Sequence, residues 1–460
     1  MFGERATNKM SNGADIRSLG EAVLSPPDGC LAYMSGFKNH FSTEAVAGAL
    51  PIARNSPQRP PLGLYAEQFS GTAFTAPRGR NRRTWFYRVR PSVSHGRNFQ
   101  PMDGRLLRTA PCRDESTMPI SQLRWRPIAI PDDPCNFLSA LRTIVTTGDA
   151  WTQTGMAAHV YLANDSMGRR YYRNLDGELL LVPQQGSLML FTECGKLQVG
   201  PGEIAIIPRG MTFKVDIVDG AARGFICENY GAAFELPERG PIGANGLANE
   251  RDFLAPVAAY EADDEPARLY VKMLGKMYMS EIEHSPLDVV AWHGNCVPFK
   301  YDLRRFSPVG SILYDHPDPS IFTVLTSLSE IPGTANVDFV IFPERWLVME
   351  NTFRPPWYHR NIMSEFMGLI YGVYDAKPDG FVPGAMSLHN GFLPHGPDAQ
   401  AFDKATNRDL TPDRLADTLA FMFETRLPMN PTTYASSLEL IDTGYPDCWA
   451  DLQAHFKAPA

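Results

Sequence analysis

The sequence predicts a mainly β protein built on a sandwich or barrel, and three observations support this. Proline (39) and glycine (37) together approach one residue in six of the 460, a density that suits short strands separated by turns. Short apolar runs recur at regular spacing in the middle of the chain, the pattern of sandwiches and barrels. Hydrophobic residues make up 44% and charged residues 20%, so the chain can bury a sizeable core and is not disordered. Its length suits two to three domains.

Taken in order, residues 1–30 are polar, end in Ser25-Pro26-Pro27-Asp28-Gly29 and predict a loosely ordered leader. The opening Met1-Phe2-Gly3-Glu4-Arg5-Ala6-Thr7-Asn8-Lys9 has no apolar stretch of the secretory type. Residues 33–92 are rich in proline, glycine and aromatics and carry Arg78, Arg80, Arg82 and Arg83, a basic loop expected to face solvent or another subunit. The spacing of Phe137, Leu138, Leu141, Ile144 and Val145 predicts a helix over 137–148, capped by Asn136 and ended by Gly148. Strands are expected at 178–182, 187–192, 203–207 and 212–218. They are divided by Gln184-Gln185-Gly186, Gly200-Pro201-Gly202 and Pro208-Arg209-Gly210. Gly240, Gly243 and Gly246 imitate a dinucleotide loop but lack its strand-to-helix context, so an ordinary turn is expected. A second helix is predicted from Thr411, with Pro412 at its first position and Leu415, Leu419, Met422 and Phe423 on one face.

The net charge of −8 lacks the electrostatic footprint of a nucleic-acid binder. No stretch approaches the roughly 18 uninterrupted apolar residues that a membrane helix needs. The seven cysteines (Cys30, Cys112, Cys135, Cys194, Cys227, Cys296 and Cys448) are scattered and never spaced C-x-x-C. They read as reduced, mostly buried thiols of a cytoplasmic protein.

Gly202, followed after five residues by Pro208-Arg209-Gly210, resembles the second half-motif of the cupin barrel. Phe213 stands where that motif expects a histidine ligand. After Gly177, Pro183 and Gln185 occupy the ligand positions of the first half-motif. The first half is thus expected to be a cupin-like jelly roll without metal. Five of the ten histidines (His293, His316, His359, His389 and His395) lie within 293–395, which moves the search for chemistry downstream. The overall expectation is bicupin-like: a larger N-terminal domain over 31–304 and a smaller metal-binding domain over 305–460.

The informative segment is Pro355-Pro356-Trp357-Tyr358-His359-Arg360-Asn361-Ile362-Met363-Ser364-Glu365, followed by Pro394-His395-Gly396-Pro397-Asp398. Six extended residues span about 20 Å. On a helix, His359 and Glu365 would sit about 9 Å apart and about 240° around the axis. Neither element brings both side chains to one ion, so the chain must fold back, with Arg360-Asn361 and Ser364 available for the bend. A His and a Glu joined by a distant His make a two-histidine, one-carboxylate face, the signature of non-haem Fe(II) and oxygen chemistry. By spacing alone, His389 competes equally with His395 as third ligand.

Several runs extend this. Gly36-Phe37-Lys38-Asn39-His40-Phe41-Ser42-Thr43-Glu44, Gly63-Leu64-Tyr65-Ala66-Glu67-Gln68 and Ser70-Gly71-Thr72-Ala73-Phe74-Thr75-Ala76-Pro77-Arg78 resemble homogentisate 1,2-dioxygenases. So do Asp315-His316-Pro317-Asp318-Pro319-Ser320-Ile321-Phe322-Thr323-Val324-Leu325, the 354–365 segment and Leu393-Pro394-His395-Gly396-Pro397-Asp398. The resemblance runs from about residue 33 to about residue 445. It implies Fe(2+) held by His359, Glu365 and His395, with His316 as the catalytic histidine. Tyr374 becomes the substrate-contacting tyrosine, with His395 and His389 beside it and His389 outside the ligand set. It also implies homogentisate and O2 as substrates, 4-maleylacetoacetate as product, a place in tyrosine and phenylalanine breakdown, and hexamers made of two trimers. Trp357, Tyr371, Tyr374 and Phe392 are candidates to line an aromatic pocket. The sequence departs from the family at Lys38, usually glycine, and at Gly384-Ala385-Met386 and Gly391-Phe392. Two other readings compete: a zinc-dependent bicupin sugar isomerase, since zinc also accepts His and Glu, and a non-catalytic bicupin, which the intact ligand set disfavours.

Overall fold

A computed structural model describes residues 31–111, 120–374, 376–377, 380–437 and 439–459. The expected leader, Cys30 and Cys112 lie outside the described residues. The centre of the fold is a nine-stranded antiparallel sheet that includes Leu141–Asp149, Thr154–Ala163, Glu178–Gln185, Glu203–Ile207 and Ala222–Asn229. It is buried on both faces. Leu180, Val182, Ile204 and Ile206 point into one hydrophobic core, while their neighbours Leu179, Leu181, Ala205 and Ile207 point into another. A strand covered twice reads as an unbroken apolar run, which explains Leu179-Leu180-Leu181-Val182. Burying four such side chains yields roughly 6–12 kcal/mol of gross stabilisation.

One face meets a seven-stranded sheet that includes Leu188–Thr192, Thr212–Ile217, Arg170–Asn174 and Ala267–Met273. The other face meets a six-stranded sheet ordered Thr323–Leu328, Ala335–Phe342, Leu419–Thr425, Ser364–Tyr371, Met386–His389 and Leu123–Trp125. A four-stranded sheet packs Tyr65–Ser70, Arg83–Arg88, Val289–Gly294 and Phe41–Glu44 together. The halves exchange edges: Leu123–Trp125 completes the later sheet, and Asn430–Pro431 pairs with Leu141–Asp149 in the earlier one.

The expected strands at 178–182, 187–192, 203–207 and 212–218 are present as Glu178–Gln185, Leu188–Thr192, Glu203–Ile207 and Thr212–Ile217. Both expected helices need correction. Asn136 does cap, its Oδ1 accepting from Ser139 N at 3.3 Å, but the helix is one turn, Phe137–Ala140, and Leu141–Asp149 is a strand. Five consecutive β-branched residues, Thr143-Ile144-Val145-Thr146-Thr147, favour extended backbone. Burial of both faces supplied the apolar spacing that imitated a helix. No helix starts at Thr411 either: Asp413–Leu415 pairs with Arg345–Leu347, and Leu419–Thr425 is an inner strand of the six-stranded sheet. A helix that periodicity missed, Ala399–Asn407, is capped by Asp398 accepting from Ala401 N at 2.7 Å.

Phe213 is fully buried against Tyr172 and Phe137, with ring centroids 5.6 and 6.4 Å apart. Between the nine- and seven-stranded sheets lies a fully buried polar knot. Glu228 accepts from Asn174 at 2.6 Å and meets His159 Nε2 at 3.1 Å. Lys272 bridges it to Asp176, 2.9 Å away. Arg78, Arg80 and Arg83 are exposed and Arg82 is half-buried. Cys135, Cys194, Cys227 and Cys296 are free and buried, and Cys448 is free and half-buried. Gly240–Ile242 is one 3-10 turn.

Candidate metal centre

The segment around His359 lies beside the one around His395. His359 N donates to His395 O at 2.9 Å and His395 N donates to His359 O at 3.1 Å, a two-residue antiparallel bridge. This places the two imidazoles with ring centroids 4.2 Å apart. His359 Nδ1 lies 2.8 Å from the Trp357 carbonyl, and His395 Nδ1 lies 2.9 Å from the Leu393 carbonyl. A carbonyl only accepts, so each Nδ1 carries a proton, and in the neutral ring each Nε2 presents the lone pair.

The fold-back that His359 and Glu365 require occurs at 361–363. Asn361 Oδ1 accepts from Met363 N at 3.1 Å, and Asn361 O accepts from Phe392 N at 2.6 Å. The chain then enters the strand Ser364–Tyr371, whose second residue is Glu365. Its carboxylate oxygens lie 3.8 Å from His359 Nε2 and 3.0 Å from His395 Nε2. One donor atom from each of the three residues falls within 4.8 Å of the others. Burial opposes ionisation of Glu365, but the imidazoles of His359, His389 and His395 around it win and hold its carboxyl well below the usual range. The bond to Glu365 in turn raises His359. Two imidazole lone pairs and one buried carboxylate, total charge −1, fit a divalent transition metal.

His389 stands directly opposite Glu365 in the next strand. It is fully buried, stacked on His395 at 4.2 Å, with Nδ1 3.9 Å from Glu365. His395, rather than His389, therefore completes the cluster of donor atoms.

A cavity of about 860 Å³ opens on one side of this cluster, lined by His316, Trp357, His359, Asn361, Glu365 and Glu424 among others. His316 is buried, its Nδ1 2.8 Å from the Pro317 carbonyl and its ring edge-on to Trp357 at 5.9 Å. Tyr374 lies on another side, lining a small cavity with Lys377, His389 and His395. Its ring packs on Phe342 and Phe381. Of the four aromatic candidates, Trp357 and Tyr374 line cavities beside the metal cluster. Tyr371 packs near Gly202, and Phe392 is 64% exposed.

The sequence marked Asn361 only as part of the bend, and did not mark Glu424 or Asp338. Asn361 Nδ2 donates to Glu365 at 3.3 Å and to Glu424 at 2.7 Å. Thr326, Asp338, Glu424, Glu365 and His389 form one register row across five neighbouring strands. Burial pushes Glu424 up to about 8 and Asp338 up to about 6. The available signal was an acid embedded in an apolar strand, as in Phe421-Met422-Phe423-Glu424 and Val337-Asp338-Phe339.

Lys38 has φ of 54°, a left-handed conformation that glycine adopts without strain. Its ammonium donates to the Phe234 carbonyl, and burial lowers its pKa to about 7. Phe392 has φ of 63°.

Fold and cluster together define a mainly β protein with a candidate site for a divalent metal ion among its described residues. The family models for the N-terminal and C-terminal parts of homogentisate 1,2-dioxygenase match residues 32–303 and 304–456. The chain belongs to the homogentisate 1,2-dioxygenase family. It is 64% identical over 424 residues to "Homogentisate 1,2-dioxygenase" of Nitrobacter hamburgensis, covering 92% of this chain and 94% of that one. It is 62% identical over 437 residues to the enzyme of the same name from Rhodopseudomonas palustris strain BisA53, covering 95% and 96%. Among solved structures, a cupin 2 conserved barrel domain protein from Leptotrichia buccalis aligns with TM-score 0.28 and 10% identity, over 65% of this chain and 95% of that chain. Among the described residues, no helix is long and apolar enough to cross a membrane.

Proposed function

We propose that the protein cleaves the aromatic ring of homogentisate with O2, using Fe(II) held by His359, Glu365 and His395. Both oxygen atoms of O2 enter the product, 4-maleylacetoacetate. The observation that carries this reading is the convergence of those three donor atoms within 4.8 Å, in a chain of this family. A bound Fe(II) ion would supply open coordination positions and the redox capacity that O2 chemistry needs.

The remaining work falls to the chain itself. Glu365 and His395 are buried while His359 is partly exposed at the cavity, and burial strengthens the electrostatic interactions of the carboxylate. His316 holds its Nδ1 proton on the Pro317 carbonyl, so Nε2 is its basic nitrogen. That nitrogen takes the proton of the substrate hydroxyl remote from the metal ligands, releasing electron density into the ring before cleavage. Trp357 braces the imidazole edge-on, and Tyr374 contacts substrate from the His389 side of the cluster.

The test is anaerobic purification, metal assay, then an oxygen electrode on adding homogentisate. The reading expects iron at one per chain and O2 uptake equal to substrate consumed. Zinc in place of iron, with no uptake, would refute it. The same reading places the enzyme in the cytoplasm, in keeping with the five free cysteines among its described residues, and assembles it as a hexamer of two trimers. A monomer by light scattering at micromolar concentration would contradict that assembly.

A further inference from the structure

Behind His389, on the side away from the large cavity, lies a chain of buried polar groups that the reaction as described does not use. His389 Nε2 is 2.8 Å from the Tyr445 hydroxyl. Tyr445 opens the 3-10 turn Tyr445–Trp449 near the C-terminus and is fully buried. The buried Lys377 ammonium donates to the same hydroxyl oxygen and sits 5.0 Å over the Tyr445 ring and 5.2 Å over that of Trp449. At the other end, His389 Nδ1 has no hydrogen-bond partner among the described residues and lies 3.9 Å from Glu365 Oε2.

Proton accounting along this chain has one solution. An ammonium has three donors and no acceptor, so the Tyr445 oxygen accepts from Lys377. The hydroxyl proton then has His389 Nε2 as its acceptor, and a buried proton left without one is costly. Nε2 therefore presents its lone pair to tyrosine, and the ring proton sits on Nδ1, facing Glu365 and the cluster. A protonated nitrogen cannot ligate a metal.

We propose that Lys377 and Tyr445 are positioning residues that lock His389 in its Nδ1–H tautomer, making it a hydrogen-bond donor to an oxygen atom bound at the metal centre instead of a fourth ligand. The inference rests on the metal-centre reading above. It explains why a histidine stacked on one ligand and opposite another stays outside the ligand set, leaving positions open for substrate. It also gives the C-terminal turn a role, since that turn delivers the hydroxyl.

The test uses the full chain loaded with Co(II) alone, whose visible spectrum reports ligand number. Failure of the wild-type chain to take up Co(II) would count against the metal-centre reading itself. With uptake established, Tyr445→Phe keeps the ring and removes the hydroxyl. The Co(II) spectrum should shift toward an added imidazole ligand, and the shift should vanish when His389→Phe is added. In the iron-loaded enzyme, kcat for homogentisate should fall about tenfold or more, as for other groups that orient atoms around a metal. Lys377→Met should give the same spectral shift, and the double variant should add nothing further, because the pair acts as a unit. The idea is overturned if either variant, folded and loaded, keeps the wild-type spectrum with kcat within about twofold of wild type. Additive losses of stability with an unchanged spectrum would equally overturn it, reducing both residues to packing.

Discussion

His316→Asn is expected to separate chemistry from metal binding. The substitution keeps an amide able to donate to the Pro317 carbonyl, now met by Nδ1 at 2.8 Å, and removes the basic nitrogen. The structural cost is small. The variant loses an edge-on ring contact with Trp357 at 5.9 Å, worth about 0.5–1.5 kcal/mol, and none of the three donor atoms of the metal cluster belongs to His316. Iron content and anaerobic binding of homogentisate should therefore stay near wild type. General-base assistance contributes typically about 10²–10⁴-fold, or about 2.7–5.5 kcal/mol on the barrier, so kcat should fall at least about a hundredfold with little change in KM. An oxygen electrode measures kcat, plasma emission spectroscopy the iron, and anaerobic titration the binding. Turnover within a few-fold of wild type would refute the base assignment. Loss of iron would make His316 a ligand.

Three further predictions concern the earlier half of the chain. Lys272→Met leaves Glu228 and Asp176 buried without their cation, so denaturant titration should show a loss of about 3–5 kcal/mol. Glu228 also sets a pH dependence: burial opposes its ionisation, but Lys272 and His159 prevail and lower its pKa from 4.5 to about 2. Because the folded value is the depressed one, this stabilisation is fully present above pH 4.5 and is lost as pH falls toward 2. Glu228→Gln should flatten the stability profile across that window, and an unchanged slope would be the contrary result. Phe213→His restores the missing half-motif histidine but should bind no second metal, because its ring neighbours Tyr172 and Phe137 offer no ligand. The unpaired imidazole should cost about 1–3 kcal/mol. Metal analysis showing two ions per chain would overturn this.

The strands at 178–217 were legible because their signals are local. Turn glycines and prolines bound each run, and the apolar content between them is too short for a helix. The types of the candidate ligands were legible too, since His359, Glu365 and His395 stand in short distinctive segments. Residues 141–149 were not legible as a strand. Periodicity reports which positions are buried, and a strand covered on both faces loses the alternation that marks it. The same double burial hid Leu419–Thr425, and with it Glu424.

By itself, then, the sequence determined the mainly β class, the phenylalanine, Phe213, in place of a histidine in the second half-motif, and the chemical set from which a metal centre could be drawn. Only the tertiary structure decided which histidine joins the candidate donor cluster. His389 and His395 are equal by spacing, but hydrogen bonds to each ring distinguish them. The Leu393 carbonyl holds the proton of His395 on Nδ1 and frees its Nε2 toward Glu365. His389 instead engages a tyrosine 56 residues away in the chain. Whether an imidazole nitrogen faces its neighbours as a lone pair or as a proton depends on the partner of the other nitrogen, and that partner is brought to it only by the packed fold.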